Sequence, residues 1–528
     1  MAVSSAHSVN SGALAPSAVV GVIGAGAMGA GIAQVAAAAG HTVLLYDLNE
    51  AACDKALAGI RAQFARLAEK GRLEPAQADA AGSRLRAVRA LADFAGAALI
   101  VEAAAERLDV KREIFATLER HVDDACLLAT NTSSISITSI AAGLRAPQRV
   151  AGLHFFNPAP LMALVEVVSG LATAPEVAQV LVATAAAWGK QPVMAKSTPG
   201  FIVNRVARPY YAEALRVLNE QGGAPASIDA VMREAGGFRM GPFELMDLIG
   251  HDVNFAVTES VFRAYFNDPR YTPSLIQQEL VNAGFLGRKS GRGFYSYADG
   301  ATPPAPDLEA PRDAPADVAL YAQDGPAAAL HTRFTARIAG ARQAGTHADD
   351  LLATAGRASI ALTDGRTATA RAAQTGVADL VLVDLARDYT QAGLVALTRA
   401  LQCSDAAYAD AVGLFQQAGF RVVGVADVPG MVAMRTVAML ANEAADTVNQ
   451  GVCSAADLDL AMEKGVNYPC GPLAWADAIG IGRVFRVLSN LAASYGEDRY
   501  RVSPRIAALH AAGRTFRSLT PASSPRTR

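Results

Sequence analysis

His154 closes a short apolar run in Gly152-Leu153-His154-Phe155-Phe156-Asn157-Pro158, and Glu166 follows twelve residues later within LMALVEVV. An imidazole at a strand end can take up a proton near neutral pH. A carboxylate that fixes its tautomer and stabilises the imidazolium makes it a better base. The spacing admits two readings: a general base with its orienting acid, or a histidine packed in a core between phenylalanines. A second polar cluster, Asn131-Thr132-Ser133-Ser134, closes the strand-like run Leu127–Thr130. Ligands of open parallel sheets sit at the carboxyl ends of strands. Ser133 and its neighbours therefore either meet a cofactor or substrate, or cap the helix that follows.

The stretch that would bring a reactive molecule to these groups is Val19–Asn49. An apolar, β-branched run (Val19–Ile23) reads as a buried strand and leads into Gly24-Ala25-Gly26-Ala27-Met28-Gly29. Gly24 permits a tight turn, Gly26 lets the backbone approach a pyrophosphate, and Gly29 lets helix and strand pack closely. The helix that opens here presents unpaired N–H groups and a positive dipole end to the phosphates. A second strand, Thr42–Tyr46, ends on Asp47, placed to accept hydrogen bonds from both ribose hydroxyls and to repel a 2′-phosphate. Strand, glycines, helix, strand and acid arrive in the order a dinucleotide site requires, so NAD is the expected cofactor.

The 528 residues suffice for several globular cores, and 47 Lys and Arg against 49 Asp and Glu leave a net charge of −2. The basic footprint of a nucleic-acid or membrane-surface partner is missing, and apolar stretches break before membrane-spanning length. Cys53, Cys126, Cys403, Cys453 and Cys470 form neither a CxxC pair nor a His-spaced pattern. No metal is expected, and reduced thiols point to a soluble, cytoplasmic protein. Residues 1–18 lack the charged start and apolar core of a secretory signal and read as a disordered tail.

Beyond the glycine loop, Glu50 to Leu73 has the stripe of an amphipathic helix, with Lys70 either on its solvated face or against an anionic substrate tail. Thr198-Pro199-Gly200-Phe201 marks a boundary, after which the chain reads as helical to about Tyr297. A Pro- and Ala-rich linker then leads to strand-like pieces, SIALT and LVLVDL, without a glycine fingerprint. The chain then repeats itself: VPGMVAMRTVAMLANEAADTVN echoes TPGFIVNRVARPYYAEALRVLN, and Gly471-Pro472 echoes Gly241-Pro242, both at an offset of 230 positions. Two separated matches at one offset indicate duplication.

Together VIGAGAMGAGIA, VEAAAE, TNTSS, GLHFFNPAP, LVEVV, TPGFIVNR and GRKSGRGFYSY resemble the NAD-dependent 3-hydroxyacyl-CoA dehydrogenases, over Val19 to Tyr297 and again over 428–516. The arrangement is similar to a bacterial branch with a duplicated C-terminal domain, which includes 3-hydroxybutyryl-CoA and 3-hydroxyadipyl-CoA dehydrogenases. The resemblance implies an α/β Rossmann-type dinucleotide-binding domain followed by two all-α 3-hydroxyacyl-CoA dehydrogenase C-terminal-type domains. The expected boundaries are 19–198 for the NAD domain, 199–297 for a helical substrate and dimerisation domain, 298–427 for a linker and degenerate nucleotide-domain-like segment, 428–516 for the second helical copy and 517–528 for a tail.

The implied reaction is oxidation of (S)-3-hydroxyacyl-CoA to 3-oxoacyl-CoA, leaning to 3-hydroxyadipyl-CoA of phenylacetate breakdown, with 3-hydroxybutyryl-CoA and a non-catalytic NAD-binding relative as alternatives. The resemblance makes His154 the base, pairs it with Glu166, and sets Ser133 and Asn204 on the substrate oxygens. It places Asp47, Glu106, Lys111, Ser133, Asn157 and Lys289 at NAD and Lys70 near CoA. A dicarboxylate substrate would need a cation along the acyl path, and Arg208 and Arg239 are candidates. An oxidoreductase of 2-hydroxy acids or imines would not account for HFFNP with TPGFIVNR. A nucleotide fold starting near residue 19 leaves no room upstream for a hydratase half. In the second copy His154, Glu166 and Asn204 correspond to Asp384, Ala396 and Met434, so that copy is expected to be structural. It would mimic, within one chain, the helical-domain pairing of a family dimer; the assembly is expected to be this pseudo-dimer or a homo-oligomer.

Overall fold

The run Val19–Ile23 forms strand β1, buried on both faces, and Gly24 to Gly26 turn it into helix α1 (Ala27–Ala38). Strand β2 (Thr42–Tyr46) returns parallel to β1, and helix α2 (Glu50–Glu69) follows. The sheet is completed by β3 (Leu85–Ala87), β4 (Leu99–Glu102), β5 (Leu127–Thr130), β6 (Val150–Phe155), β7 (Leu164–Ser169) and β8 (Gln191–Lys196). Its order is β3-β2-β1-β4-β5-β6-β7-β8, parallel throughout except at β6–β7. The order reverses at β1, which opens a crevice at the strand carboxyl ends. Val20, Val22, Leu45, Leu99 and Val101 lie in the core beneath it.

The computed structural model describes residues 12–518, which divide into two compact units. The first runs to Arg205 and takes in Gln450–Val466; the second runs from Val206 to Asn449 and resumes at Asn467. The expected tail at 1–18 lies outside the described residues up to position 11. From Gly12 onward it is fastened: the Leu14 N–H donates to Thr184 Oγ1 at 3.1 Å, and His41 Nδ1 lies 3.0 Å from the Ala18 carbonyl oxygen. Residues 519–528 of the C-terminal tail also lie outside the described part.

In the second unit the two helical segments are separated by a sheet, which lies in the stretch expected to be a linker and degenerate nucleotide-domain-like segment. Its strands are β9 (Val318–Tyr321), β10 (Arg342–Ala344), β11 (Leu351–Ala355), β12 (Ala358–Leu362), β13 (Leu380–Val383), β14 (Leu394–Arg399) and β15 (Arg421–Gly424). The order is β10-β9-β11-β12-β13-β14-β15. From β12 to β15 the neighbours are parallel, antiparallel and parallel, as from β5 to β8. SIALT and LVLVDL are β12 and β13 with their flanks. The half that would carry a glycine loop is replaced by β9, a helix (Gly325–Arg337), β10 and β11, the last antiparallel to both its neighbours.

The helices of the second unit centre on Ala433–Asn449, buried from Ala433 to Thr447 and packed against Arg208–Asn219. Polar side chains on so buried a helix must find partners. Glu213 accepts from Arg435 Nε at 2.8 Å, Arg499 Nη2 at 3.1 Å and the Tyr500 hydroxyl at 2.8 Å. Its repeat counterpart Glu443 accepts from the Tyr271 hydroxyl at 2.6 Å and Arg270 Nη1 at 3.3 Å. Each copy's glutamate is thus held by an Arg-Tyr pair from the other, the reciprocity of an isologous contact. Burial alone would raise the Glu213 carboxyl; Arg499, Arg435 and the Tyr500 hydroxyl overcome it and hold it at about 2.

Replacing Glu213 by Gln strands two buried guanidiniums and should cost about 3–5 kcal/mol in a urea titration at neutral pH. Because the folded carboxyl titrates below its ordinary 4.5, its stabilisation is complete above 4.5 and drains as pH falls toward 2. The Gln variant should lose that part of the acid dependence.

Candidate active site

The glycine loop is shaped for close approach. A Cβ on Gly29 would lie 1.8 Å from the Gly24 carbonyl oxygen, and Gly24 has φ +103° with the Ala103 carbonyl oxygen 2.4 Å from where its Cβ would be. Gly26 differs: nothing lies within 4 Å of its would-be Cβ, and α1 begins beside it without a side-chain cap. Open space against uncapped N–H groups is what a pyrophosphate needs, so NAD fits this loop. Asp47 Oδ2 accepts the Ala25 N–H at 2.7 Å and Oδ1 the Asn49 N–H at 2.9 Å, fastening the loop to the end of β2. Each oxygen keeps acceptor capacity for a ribose hydroxyl.

His154 and Glu166 are direct neighbours on the antiparallel strands β6 and β7. His154 Nδ1 lies 2.7 Å from Glu166 Oε2, both side chains are buried, and Nε2 has no partner among the described residues. Glu166 Oε1 accepts the N–H groups of Ile202 and Val203 at 3.1 and 3.0 Å. Those amides are presented by a turn in which Gly200 and Phe201 have φ of 75° and 47°, and the Phe201 ring stands 5.8 Å from the imidazole. Asn204 follows on the short helix Val203–Val206, whose first amide is one of the two held by Glu166. One carboxylate therefore anchors both the imidazole and the turn that carries Asn204. In the second unit Asp384, at the position of His154, accepts the N–H groups of Val432, Ala433 and Met434 at 3.0, 2.7 and 2.9 Å. The amide cap is retained there without an imidazole, and burial pushes the Asp384 carboxyl up to about 6.

Sequence reasoning missed Glu102. This fully buried acid at the end of β4 accepts Lys111 Nζ on both oxygens (2.8 and 3.0 Å), the Thr130 hydroxyl (2.7 Å) and the Ala104 N–H (2.7 Å). A charge at the end of the apolar run LIVE was the available signal. Lys111 is itself buried and reaches Glu106 Oε2 at 3.3 Å. Glu106 Oε1 then accepts the Thr132 hydroxyl at 2.6 Å, the Ser133 and Ser134 N–H groups at 3.0 and 3.3 Å and the Ser134 hydroxyl at 3.0 Å. Burial opposes ionisation of Glu106, but these donors with Lys111 hold its carboxyl below the usual range. Lys111 and Glu106 thus shape the loop that presents Ser133. Asn131 also positions: its Oδ1 accepts the Phe155 N–H at 2.8 Å, beside His154.

Asn157 is exposed, just ahead of a loop pinned by Lys190, whose Nζ donates to the Ala159 and Met162 carbonyls at 2.6 and 2.8 Å. A cleft of about 1190 Å³ runs from Gly26 and Ala27 between α1 and α2 to this loop, with Lys55 and Arg72 on its wall. Lys70 is exposed at the end of α2 and is not among the residues lining that cleft. Lys289 belongs to the second unit, where it pairs with Asp252 at 2.5 Å. In the same unit Arg208 is buried against Thr258, and Arg239 is exposed. Among the described residues no group of three His, Cys, Asp or Glu is placed to hold a metal, and no helix is long and apolar enough to cross a membrane.

A dinucleotide loop at the switch point of a parallel sheet, with a carboxylate-backed histidine in the same unit, defines a nicotinamide-dependent dehydrogenase. Residues 19–198 match the model of the 3-hydroxyacyl-CoA dehydrogenase NAD binding domain, and 200–297 and 430–519 both match that of its C-terminal domain. Residues 360–429 match the 3-hydroxybutyryl-CoA dehydrogenase reduced Rossmann-fold domain. The chain belongs to the 3-hydroxyacyl-CoA dehydrogenase family and is an NAD-dependent oxidoreductase. It is 48% identical over 483 residues to 3-hydroxyadipyl-CoA dehydrogenase of Escherichia coli K12, covering 91% of this chain and 95% of the relative. A crystal structure of 3-hydroxybutyryl-CoA dehydrogenase from Escherichia coli K12 superimposes with a TM-score of 0.85 at 45% identity, covering 94% of this chain and 98% of that one. Human mitochondrial hydroxyacyl-coenzyme A dehydrogenase is 41% identical over 284 residues, which are 53% of this chain and 90% of the relative.

Glu166→Gln separates the two duties of this carboxylate. The amide oxygen can still cap the turn, but its NH₂ then faces Nδ1 and drives the ring proton to Nε2. Turnover measured as NADH formation should fall about 10³–10⁴-fold with NADH affinity unchanged. An undiminished rate would show that His154 is oriented by other means.

Proposed function

We propose that His154 is the general base that removes the 3-hydroxyl proton of a 3-hydroxyacyl-CoA, through Nε2. The observation that carries this reading is the 2.7 Å bond from Nδ1 to a Glu166 that is fully buried and itself bonded to two backbone amides. Such a carboxylate fixes the tautomer with a lone pair on Nε2 and stabilises the imidazolium once the proton arrives. NAD, when held at the glycine loop, supplies the acceptor for the hydrogen leaving C3 with its electron pair. The Ser133 hydroxyl, without a protein partner among the described residues, and the Asn204 amide steady the oxygen as it becomes a carbonyl. Asp47 and the loop Gly24–Gly29 hold the adenosine and pyrophosphate, Glu106 and Lys111 support the loop beside them, and Asn157 is a further cofactor contact. The CoA portion lies along the cleft between α1 and α2, near Lys55, Arg72 and Lys70.

For the acyl group we favour 3-hydroxyadipyl-CoA. The supporting observation is the near full-length match to a relative named for that substrate; the full-length structural relative named for 3-hydroxybutyryl-CoA supports the shorter chain as the second reading. The paired helical copies take the place of a subunit contact within one chain, as the reciprocal Glu213 and Glu443 networks suggest. Five cysteines without a disulfide suit a reducing cytoplasm.

Comparison of kcat/KM for the two thioesters tests the substrate: a clear preference for the adipyl compound is expected, and preference for the butyryl compound would replace it. His154→Ala should bind NADH normally and lose about 10²–10⁴-fold in turnover. Unchanged turnover would remove His154 from the reaction.

A further inference from the structure

The unit that carries His154 and Glu166 includes a segment delivered by the second helical repeat. Its helix Ala455–Gly465 lies on β7 and β8, the first of which holds Glu166. The Lys196 N–H at the end of β8 donates to the Val452 carbonyl at 2.9 Å. Arg205, the residue after Asn204, is buried and donates Nη1 to Gln450 Oε1 at 2.9 Å. At the other end of the segment, a Cβ on Gly465 would stand 2.6 Å from Leu164 and 3.1 Å from Val203. Leu164 begins the strand of Glu166, and Val203 supplies an amide to Glu166 and precedes Asn204. The borrowed helix therefore sits against both sides of the Glu166–Asn204 connection as closely as a backbone allows.

Within the second unit the same contacts recur between the corresponding residues. The Ala426 N–H donates to the Gly222 carbonyl at 2.9 Å, and Arg435 Nη1 to Glu220 Oε2 at 3.0 Å. Ala426, Gly222, Arg435 and Glu220 correspond to Lys196, Val452, Arg205 and Gln450 at the offset of 230. Two independent occurrences make the contact a property of the repeat, and Glu220 shows that an acid fits the place of Gln450.

We propose that Gln450 is a positioning residue for the dehydrogenase reaction: by holding Arg205 it sets the turn that carries Asn204, so the repeat without chemistry of its own completes the site of the other. The inference rests on the roles given above to Glu166 and Asn204. It requires that turnover, rather than cofactor binding, responds to a residue some 245 positions from Arg205 in sequence.

The test uses the full chain. Gln450→Ala removes the acceptor and should lower kcat about ten-fold or more, as expected for loosening of a reacting group, while leaving KM for NAD and the melting temperature near those of the parent. Gln450→Glu, which copies the Arg435–Glu220 pair, should restore kcat. Gly465→Val, which pushes on Leu164 and Val203, should lower kcat as well. Parental kcat in Gln450→Ala would overturn the proposal, as would a loss that Gln450→Glu does not recover. If the parent chain itself turns over no 3-hydroxyacyl-CoA, it is the reading of the site that fails, a result distinct from either.

Discussion

The arrangement around His154 depends on the divided bonding of one carboxylate. Glu166 gives one oxygen to the His154 ring and the other to two amides of the turn before Asn204. The two amides satisfy the oxygen that the ring leaves free, so one carboxylate fixes the backbone and the imidazole together. The antiparallel ladder between β6 and β7 makes the two residues direct cross-strand neighbours and so brings their side chains together. The Phe156 and Phe201 rings flank the imidazole, with centroids 4.6 and 5.8 Å from it.

The second unit keeps part of this arrangement without the imidazole. Asp384 is shorter by one methylene than Glu166 and rises from the neighbouring strand position, yet it reaches the same pair of amides in the equivalent turn. Met431 there repeats the left-handed conformation of Phe201, with φ of 56°. Backbone strain of this kind persists where surrounding bonds impose it. The turn was retained because it starts a helix buried along nearly its whole length, which no unfastened amide could do cheaply.

Much of the first unit was legible in the chain because its signals are local. Gly24, Gly26 and Gly29 stand at a fixed spacing directly between a strand and a helix, and Asp47 follows the next strand directly. His154 and Glu166 were legible as a pair only by spacing, and the register of β6 and β7 converted spacing into a bond. Glu102 was hidden because an acid at the edge of an apolar run gives no hint of its donors, which come from Thr130 and Lys111 on other elements. The second sheet was obscured because β9 to β11 replace the glycine-bearing half and leave only strands without a fingerprint. Nothing in the local pattern of Ala455–Gly465 tells that it will cover β7 and β8, which belong to a distant part of the chain.

That last feature bears on how the polypeptide is made. The unit holding His154 and Glu166 lacks its final helix until residue 466 has left the ribosome, although its sheet is finished by residue 196. During the synthesis of the intervening stretch the face of β7 and β8 that this helix covers stays exposed, and transiently exposed apolar surface is where nascent chains associate wrongly. Linking the repeats in one polypeptide supplies the covering helix in cis, at a concentration fixed by the tether rather than by expression level. The covering helix thus arrives late, but from the same chain.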